Sequence, residues 1–338
     1  MSGPGNLVTS GQTELIIPAT DIIARALRDL AVINDEDNPT AAMYAAGLGK
    51  LSLILKQLEA TGLHVWTEEE AILFLQPLQA RYLLGDDANG DPSTDHCCDA
   101  YAYFMLSLSS NYVAGATVLS LAIPTTTTQF TNPTIPIGFQ IGVVLDSGAI
   151  FWTTVKASSS ISVTLNAGLP SSASAQNFVF AYETNITRPL KVPDARTLTY
   201  LGLLETPWSY MYSRQEYMDL PNKASPGTPT QGAYFPKIPQ GQMFVWPVAR
   251  IAAWAIRFTW YRSLQVFVNP DDIADLPQEW SNCLEWVLAQ ELGPSYSVPA
   301  ARWQTVLAMA TQKTETMLDW DRESEDIQFA IGYDQTMR

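Results

Sequence analysis

Residues 139–152 have the sequence FQIGVVLDSGAIFW, and this stretch decides the class of the middle of the chain. Apolar side chains recur at every second position at Phe139, Ile141, Val143 and Leu145, and again at Ile150 and Trp152. Between the two runs stands Asp146-Ser147-Gly148, a sequence typical of a tight turn. Alternation with a period of two is the pattern of a strand that buries one face. The stretch therefore predicts two strands joined by a turn.

The same alternation recurs through residues 113–187, which are rich in Ser and Thr. Only three charged side chains occur in this block, namely Asp146, Lys156 and Glu183. Further alternating apolar positions are Leu119, Leu121, Ile123, Ile161, Val163, Leu165, Phe178, Phe180 and Tyr182. A composition shift on each side marks a domain boundary. We therefore predict a small β-sandwich or barrel over residues 113–187, inserted into a helical domain.

Residues 1–112 are predicted to form the N-terminal part of that helical domain. Thr20 is expected to cap a first helix, whose apolar stripe is Ile22, Ile23, Ala26, Leu27 and Leu30. Asn38-Pro39 is expected to start a second helix, with one face formed by Met43, Gly47, Leu51, Ile54 and Leu58. Two short strands are expected after it, at residues 71–75 and 81–84.

Residues 188–318 are predicted to complete the helical domain, and residues 319–338 to form a C-terminal arm. Strands at residues 242–246 and 254–261 are expected to pair as a β-hairpin. Two long helices follow, because apolar residues recur at helical spacing. Their stripes are Trp280, Cys283, Leu284, Val287, Leu288 and Leu292, and then Trp303, Val306, Leu307, Ala310, Met317 and Leu318. The predicted fold class is α+β, a helix bundle with an inserted β domain.

The composition of the whole chain argues against several classes of protein. The 338 residues carry 34 acidic and 19 basic side chains, a net charge of −15, and 47% of the residues are hydrophobic. A chain this apolar can bury cores and is not a disordered polyelectrolyte. The acidic balance argues against a stand-alone nucleic-acid binder, which needs a basic patch. Low charge and many aromatic residues favour a surface that is largely covered in an assembly.

We expect neither a membrane span nor a secretory signal. The purest apolar run, residues 71–75, is far shorter than the roughly 20 residues that cross a bilayer. The first ten residues lack a basic region followed by an apolar one. The three cysteines, Cys97, Cys98 and Cys283, make no disulfide framework, so folding in a reducing cytoplasm is expected.

Two clusters hold chemically capable side chains, but neither predicts a catalytic, cofactor or metal site. Asp95-His96-Cys97-Cys98-Asp99 lacks a second Cys/His cluster to complete a metal site, so we interpret it as the start of a helix. The apolar residues Tyr101, Phe104, Met105 and Leu108 follow at helical spacing. Glu68-Glu69-Glu70 could offer a glycosidase its carboxylate pair. A run of like charges on a loop is more often solvated, and that is the interpretation we prefer.

Several short motifs follow one another in a defined order. A helix at residues 20–27 precedes one that begins at Asn38-Pro39-Thr40, and an extended stretch at residues 74–85 follows. Later motifs are Arg188-Pro189-Leu190, Ser213-Arg214-Gln215-Glu216-Tyr217-Met218, Trp246-Pro247-Val248 and Leu276-Pro277-Gln278-Glu279-Trp280. In this order the chain resembles the head-to-tail adaptors of tailed bacteriophages, particularly the tail accessory factor (packaged-DNA stabilisation protein) of short-tailed phages.

The resemblance implies a structural virion protein and not an enzyme, made in the bacterial host cytoplasm and located at the head–tail interface. It implies a homo-oligomeric ring, a dodecamer, that binds the portal protein and docks a tail nozzle, hub or fibre protein. Such a ring continues the DNA channel and helps retain packaged DNA until genome ejection. DNA passes through the lumen without specific binding, because an acidic wall repels it. No cofactor, metal or membrane is implied.

Two sets of contact residues follow from this interpretation. The candidates for subunit interfaces are Met43, Leu51, Ile54, Leu58, Trp303 and Leu307. The candidates for a portal-binding arm are Trp320, Ile327, Phe329, Ile331 and Tyr333. Two alternatives stay open. One is a phage tail protein that binds or cleaves host-surface glycan through Glu68–Glu70 and Trp152, and the other is a ring of a long-tailed phage, such as a tail terminator.

Overall fold

A computed structural model describes residues 15–61, 66–85, 95–124, 134–200 and 204–321. The chain divides into a helical unit, residues 1–67 and 264–338, and a β unit, residues 68–263. The predicted α+β class is confirmed. The β unit is larger than the expected insertion of residues 113–187, because the strands on both sides of that block pair with one another.

The helical unit draws its helices from both ends of the chain. In chain order the α-helices of the described residues are α1 Ala19–Asp29, α2 Ala41–Thr61, α3 Arg214–Asp219, α4 Ser281–Leu292 and α5 Ala300–Trp320. All except α3 belong to the helical unit. Their predicted apolar stripes meet in one core, in which Leu27, Leu51 and Leu284 are fully buried around Trp280.

The helix starts differ from the predicted ones. Helix α1 begins at Ala19 after Pro18, so Thr20 lies inside the helix and does not cap it. Before α2, the side chain that accepts a backbone N–H is that of Thr40, from Met43 at 3.3 Å, and not that of Asn38. Thr is a good N-cap residue. Asn38-Pro39 therefore predicted the start of α2 to within a few residues, but it did not identify the side chain that caps the helix.

The β unit contains three sheets. Its strands are β1 Glu68–Phe74, β2 Arg81–Leu84, β3 Cys97–Asp99, β4 Tyr103–Leu108, β5 Val118–Ala122, β6 Gln140–Val144, β7 Ile150–Ser159, β8 Ser162–Leu165, β9 Phe178–Tyr182, β10 Ala195–Thr199, β11 Leu204–Pro207, β12 Tyr210–Met211, β13 Gln231–Phe235, β14 Gly241–Trp246 and β15 Trp254–Tyr261. One sheet has the order β11-β10-β15-β1-β3, and a second has the order β12-β13-β14-β2. The third closes into a barrel, β4-β5-β8-β7-β6-β9.

The five-stranded sheet is the middle layer of the β unit. One of its faces joins the four-stranded sheet in a core that includes Leu73, Val245 and Phe258. Its other face joins the outside of the barrel in an aromatic core that includes Phe74 and Phe180. A sheet covered on both faces needs apolar side chains on both, which explains the continuous apolar run from Ala71 to Leu75.

The opening stretch forms β6 and β7 of the barrel, as predicted. The two strands are antiparallel, with Val144 opposite Ile150, and Gly148 in the turn has a φ of 84°, which favours glycine. The barrel encloses a core that includes Leu119, Val143 and Val179. Closing the sheet on itself removes its free edges.

The barrel begins before residue 113, because residues 103–108 form β4 and not the helix that we expected. Phe104 and Leu106 face the barrel core, whereas Met105 faces the aromatic core outside it. A strand with apolar residues on both faces also satisfies helical spacing, so the pattern misled. The same argument corrects the expected helix start at residues 95–99, which contain β3.

The predicted β-hairpin of residues 242–246 and 254–261 is wrong. Both segments are strands, but β14 pairs with β13 and β2, whereas β15 pairs with β10 and β1. Strand β15 matches β1 over seven residue pairs, from Glu68–Tyr261 to Phe74–Ala255. The pairing of strands that are distant in sequence leaves no pattern in the residues around either strand. The sequence analysis therefore paired residues 242–246 with the next strand along the chain, which is not their partner. None of the described helices has the length and hydropathy needed to cross a bilayer.

Gly47 permits the close contact of α2 with α1. A Cβ at this position would lie 2.7 Å from Cγ1 of Ile23, which is fully buried. Gly49, two residues further along α2, would place a Cβ in open space. The two glycines therefore offer a matched pair within one helix.

We predict that Gly47→Ala destabilises the helical unit by about 1–3 kcal/mol, because an overpacked core must shift. Gly49→Ala should stabilise it by up to about 1 kcal/mol, because alanine favours helix over glycine. Thermal and urea unfolding followed by helical circular dichroism measures both. Equal stability of the two variants would show that α1 and α2 are not in close contact at Gly47.

Candidate functional site

A groove opens on the helical unit between α2, α4 and α5. Its volume is about 280 Å³, and apolar side chains including Ile54, Val287 and Leu318 line it together with polar ones. Gln57, Gln290 and Glu315 are among the polar lining residues. An open groove of mixed character suits contact with another protein segment better than binding of a small charged ligand.

Most of the expected interface residues belong to the core of their own unit. Leu51, Ile54 and Leu58 are buried among the helices, and Met43 and Trp303 pack partly buried against the same core. Leu307 is half-buried. An amphipathic stripe predicts that a face is covered but not whether the cover comes from the same chain, which is why the sequence could not separate these two roles.

The structure reveals uncovered apolar side chains that the sequence analysis missed. Leu53 on α2 is 64% exposed, and Val268, in the chain that leads to α4, is 75% exposed. Phe267 lies next to Val268, and its carbonyl accepts a hydrogen bond from the Ser52 hydroxyl at 3.3 Å, which brings the two segments together. The exposed residues Val266 and Ile273 belong to the same segment. We call Leu53, Val266, Val268 and Ile273 the exposed apolar set.

Of the arm candidates, Trp320 lies within the described residues. It ends α5 and its ring centroid lies 5.0 Å from that of Trp66, with both side chains still partly exposed. Ile327, Phe329, Ile331 and Tyr333 lie outside the described residues. The pair of tryptophans therefore packs the end of α5 against Trp66 of the same helical unit.

The helical unit also contains a pair of neighbouring carboxyl groups, Asp29 of α1 and Glu285 of α4. Burial, followed by the hydrogen bond and the charge of Asp29, raises the pKa of Glu285 to about 7 against the opposing effect of Arg25. Arg25 Nη1 lies 3.9 Å from Glu285 Oε2. Burial also raises the pKa of Asp29. Two carboxyl groups in such proximity share a proton near neutral pH.

The β unit holds a cluster of ion pairs across its five-stranded sheet. Arg257 of β15 donates from Nε to Glu70 of β1 at 3.0 Å and from Nη1 to Glu205 of β11 at 2.9 Å, and Arg196 of β10 contacts both carboxylates. Burial raises the pKa of Glu70, but Tyr101 and the two guanidinium groups outweigh it, so the net pKa is lowered. We call these four residues the sheet ion cluster.

The expectation for residues 68–70, a solvated loop, is wrong. These residues begin strand β1, and Glu70 belongs to the sheet ion cluster. Glu69 pairs with Arg262 Nε at 2.7 Å. The lowered pKa of Glu70 is the opposite of the raised pKa that the acid of a glycosidase needs. The geometry thus gives little support to catalysis by this pair.

The Cys-Cys cluster has a structural role. Cys97 and Cys98 are consecutive in β3 and face two different cores, so they cannot ligate one ion together. Burial raises the pKa of both thiols well above the ordinary value, which leaves them unreactive. His96 stacks on Trp152 with ring centroids 3.8 Å apart, and burial lowers its pKa to about 4. The described residues contain no group of three potential metal ligands.

We predict that the acid pair makes the helical unit less stable as the pH rises. Glu285 binds its proton more tightly in the folded state than at its ordinary pKa of 4.5. Its stabilising contribution is therefore complete below pH 4.5 and disappears as the pH rises through about 7. Glu285→Gln removes the charge, so its melting temperature at pH 8 should exceed that of the wild type by a few degrees.

Helical circular dichroism melts between pH 5 and 8 measure this difference. Glu279→Gln is the matched control, since it removes the same formal charge at an exposed position. The loss of stability between pH 5 and 8 should shrink in Glu285→Gln and persist in the control. Parallel pH profiles of wild type and Glu285→Gln would contradict the assignment.

No protein-family model matches the chain, and no curated protein matches it either. The function is therefore argued from the chain's own surfaces, namely the groove, the exposed apolar set and the distribution of charge.

Proposed function

We propose that the protein is a head-to-tail adaptor of a tailed bacteriophage, a ring that binds beneath the portal protein and docks a tail protein. The observation that carries this proposal is the exposed apolar set on the helical unit. Leu53 and Val268 present apolar surface in a chain of net charge −15. Apolar side chains left uncovered in this way mark surfaces that a protein partner covers.

The distribution of charge supports the same proposal. Residues 1–112 contain 15 acidic and 5 basic residues, whereas the barrel strands and their connections, residues 103–182, contain two charged residues, Asp146 and Lys156. In a ring of many copies the acidic part would surround one axis. DNA then passes without adhering, because the wall repels phosphate over a Debye length of about 10 Å.

The two alternatives receive less support. A glycan-cleaving tail protein would need a free carboxylate pair, but Glu69 and Glu70 are engaged by Arg262 and Arg257. The exposed apolar set and the distribution of charge fit a ring of a long-tailed phage equally well. A density map of the virion distinguishes it from an adaptor of a short-tailed phage, because the two rings contact different neighbours.

The deciding experiment is a cryo-electron microscopy map of the virion of the phage that encodes this chain. We expect a ring of copies in direct contact with the portal, with its lumen on the DNA path. A chain that is absent from the virion, or located away from the portal, would overturn the proposal. A monomer in solution would not, because a ring of this kind can require the portal for assembly.

We predict that Leu53→Glu and Val268→Glu impair ring formation on the portal without unfolding the chain. Both side chains are exposed, so a charge there costs little in the monomer but much in an apolar interface. Native mass spectrometry of the chain mixed with portal measures the number of bound copies. Gln304→Glu, at an exposed position of α5, is the control and should assemble normally. Full assembly of both Leu53→Glu and Val268→Glu would contradict the interface role.

A second prediction concerns the C-terminal segment. A chain that ends at Asp321 retains all of α5, so its melting temperature should match that of the full chain. Its affinity for the portal should fall by at least about tenfold, because the removed apolar residues would contribute about 1.4 kcal/mol or more. Surface plasmon resonance with immobilised portal measures this affinity. Unchanged binding by the shortened chain would exclude a portal-binding arm.

A further inference from the structure

A second hollow, of about 400 Å³, lies in the β unit where the chain passes between the five-stranded sheet and the barrel. Residues 99–102 connect β3 to β4, and residues 183–184 follow β9, the strand that pairs with β4. The principal lining residues are Asp99, Tyr101, Tyr103, Phe104, Phe139 and Glu183. Four aromatic rings and two carboxylates therefore share one concave surface.

Tyr101 is the unusual member of this surface, because it is held in place although its side chain is 76% exposed. Its hydroxyl donates a hydrogen bond to Glu70, and its backbone N–H donates to Asp99 Oδ1 at 2.7 Å. The guanidinium carbon of Arg257 lies 4.9 Å from the ring centroid. An exposed aromatic ring fixed by three contacts loses little conformational entropy when a ligand stacks on it.

The two carboxylates of the hollow are acceptors, and the hydroxyl groups of Tyr103 and Thr184, which also line it, can both donate and accept. Glu183 is exposed and makes no hydrogen bond or ion pair with any described residue. Asp99 uses one oxygen for the N–H of Tyr101, and its second oxygen has no partner in the described part of the chain. No Lys or Arg is among the described residues that line the hollow. The two carboxylates therefore favour a ligand that brings donors of its own, and they repel an anion.

We propose that this hollow binds a neutral sugar residue of a glycan. The apolar C–H face of a pyranose ring would stack on Tyr101, and its hydroxyl groups would donate hydrogen bonds to Asp99 and Glu183. A neutral sugar matches all three properties of the site, namely a fixed exposed ring, unoccupied acceptors and the absence of a lining cation. The site is built from residues of the β unit alone, whereas the exposed apolar set belongs to the helical unit, so the proposal does not depend on the adaptor proposal. It includes no hydrolytic step.

Saturation-transfer NMR on the full chain tests the proposal. The neutral probes are cellohexaose, maltohexaose, chitohexaose and mannohexaose, and the charged probes are a hyaluronan hexasaccharide and choline. We expect transfer to at least one neutral oligosaccharide, with a Kd of about 0.1–10 mM, as for a single-ring subsite. Tyr101→Ala should weaken that binding by more than about tenfold.

Glu183→Gln is a second variant that should fold normally, because this exposed side chain has no hydrogen bond or ion pair with any residue that the structure describes. It should weaken binding about three- to tenfold, whereas Ile137→Ala, which removes an exposed apolar side chain elsewhere in the β unit, should leave binding unchanged. The proposal is overturned if none of the neutral probes binds, if only hyaluronan or choline binds, or if Tyr101→Ala and Glu183→Gln both bind like the wild type.

Discussion

The antiparallel pairing of β1 with β15 is the constraint on which both units depend. Glu68 lies opposite Tyr261 at one end of this ladder. The helical unit is interrupted between Thr67 and Leu264, so the ladder brings the two interrupted ends together. Helices α1 and α2 precede the interruption, and α4 and α5 follow it. They can share one core around Trp280 because the β unit returns the chain to the place from which it left.

The same two strands organise the interior of the β unit. Leu73 and Phe258 face the four-stranded sheet, whereas Phe74 and Ala255 face the barrel. The sheet ion cluster bridges them across the ladder through Glu70 and Arg257. Arg257 also lies over the ring of Tyr101. The position of the exposed ring in the hollow is thus set by the ladder that closes the chain.

Local patterns in the sequence predicted local structure well. The alternation around Asp146-Ser147-Gly148 gave two barrel strands, and the stripes with Leu27 and Leu284 gave helices with buried faces. The pairing of strands could not be predicted from local patterns. Strand β15 pairs with β1 almost two hundred residues earlier, and strand pairing at this distance depends on the packed fold and not on neighbouring residues.

The candidate surfaces show the same division between local and distant information. Leu51 and Leu53 stand two residues apart on α2, yet the first is fully buried and the second is 64% exposed. The segment containing Phe267, which meets α2 at Ser52, comes from the other end of the chain. Likewise, Tyr101 gains its importance from Glu70 and Arg257. A side chain's availability to a partner is decided by contacts that periodicity does not encode.

The neighbouring ends of the β unit have a consequence for the architecture as a whole. Opposed residues of an antiparallel ladder lie only about 4.5–5.5 Å apart, so Glu68 and Tyr261 bring the first and last strands of the β unit side by side. Any domain that leaves and returns through adjacent antiparallel strands has neighbouring ends for the same reason. The β unit in this sense closes on itself at the two strands through which the chain enters and leaves it.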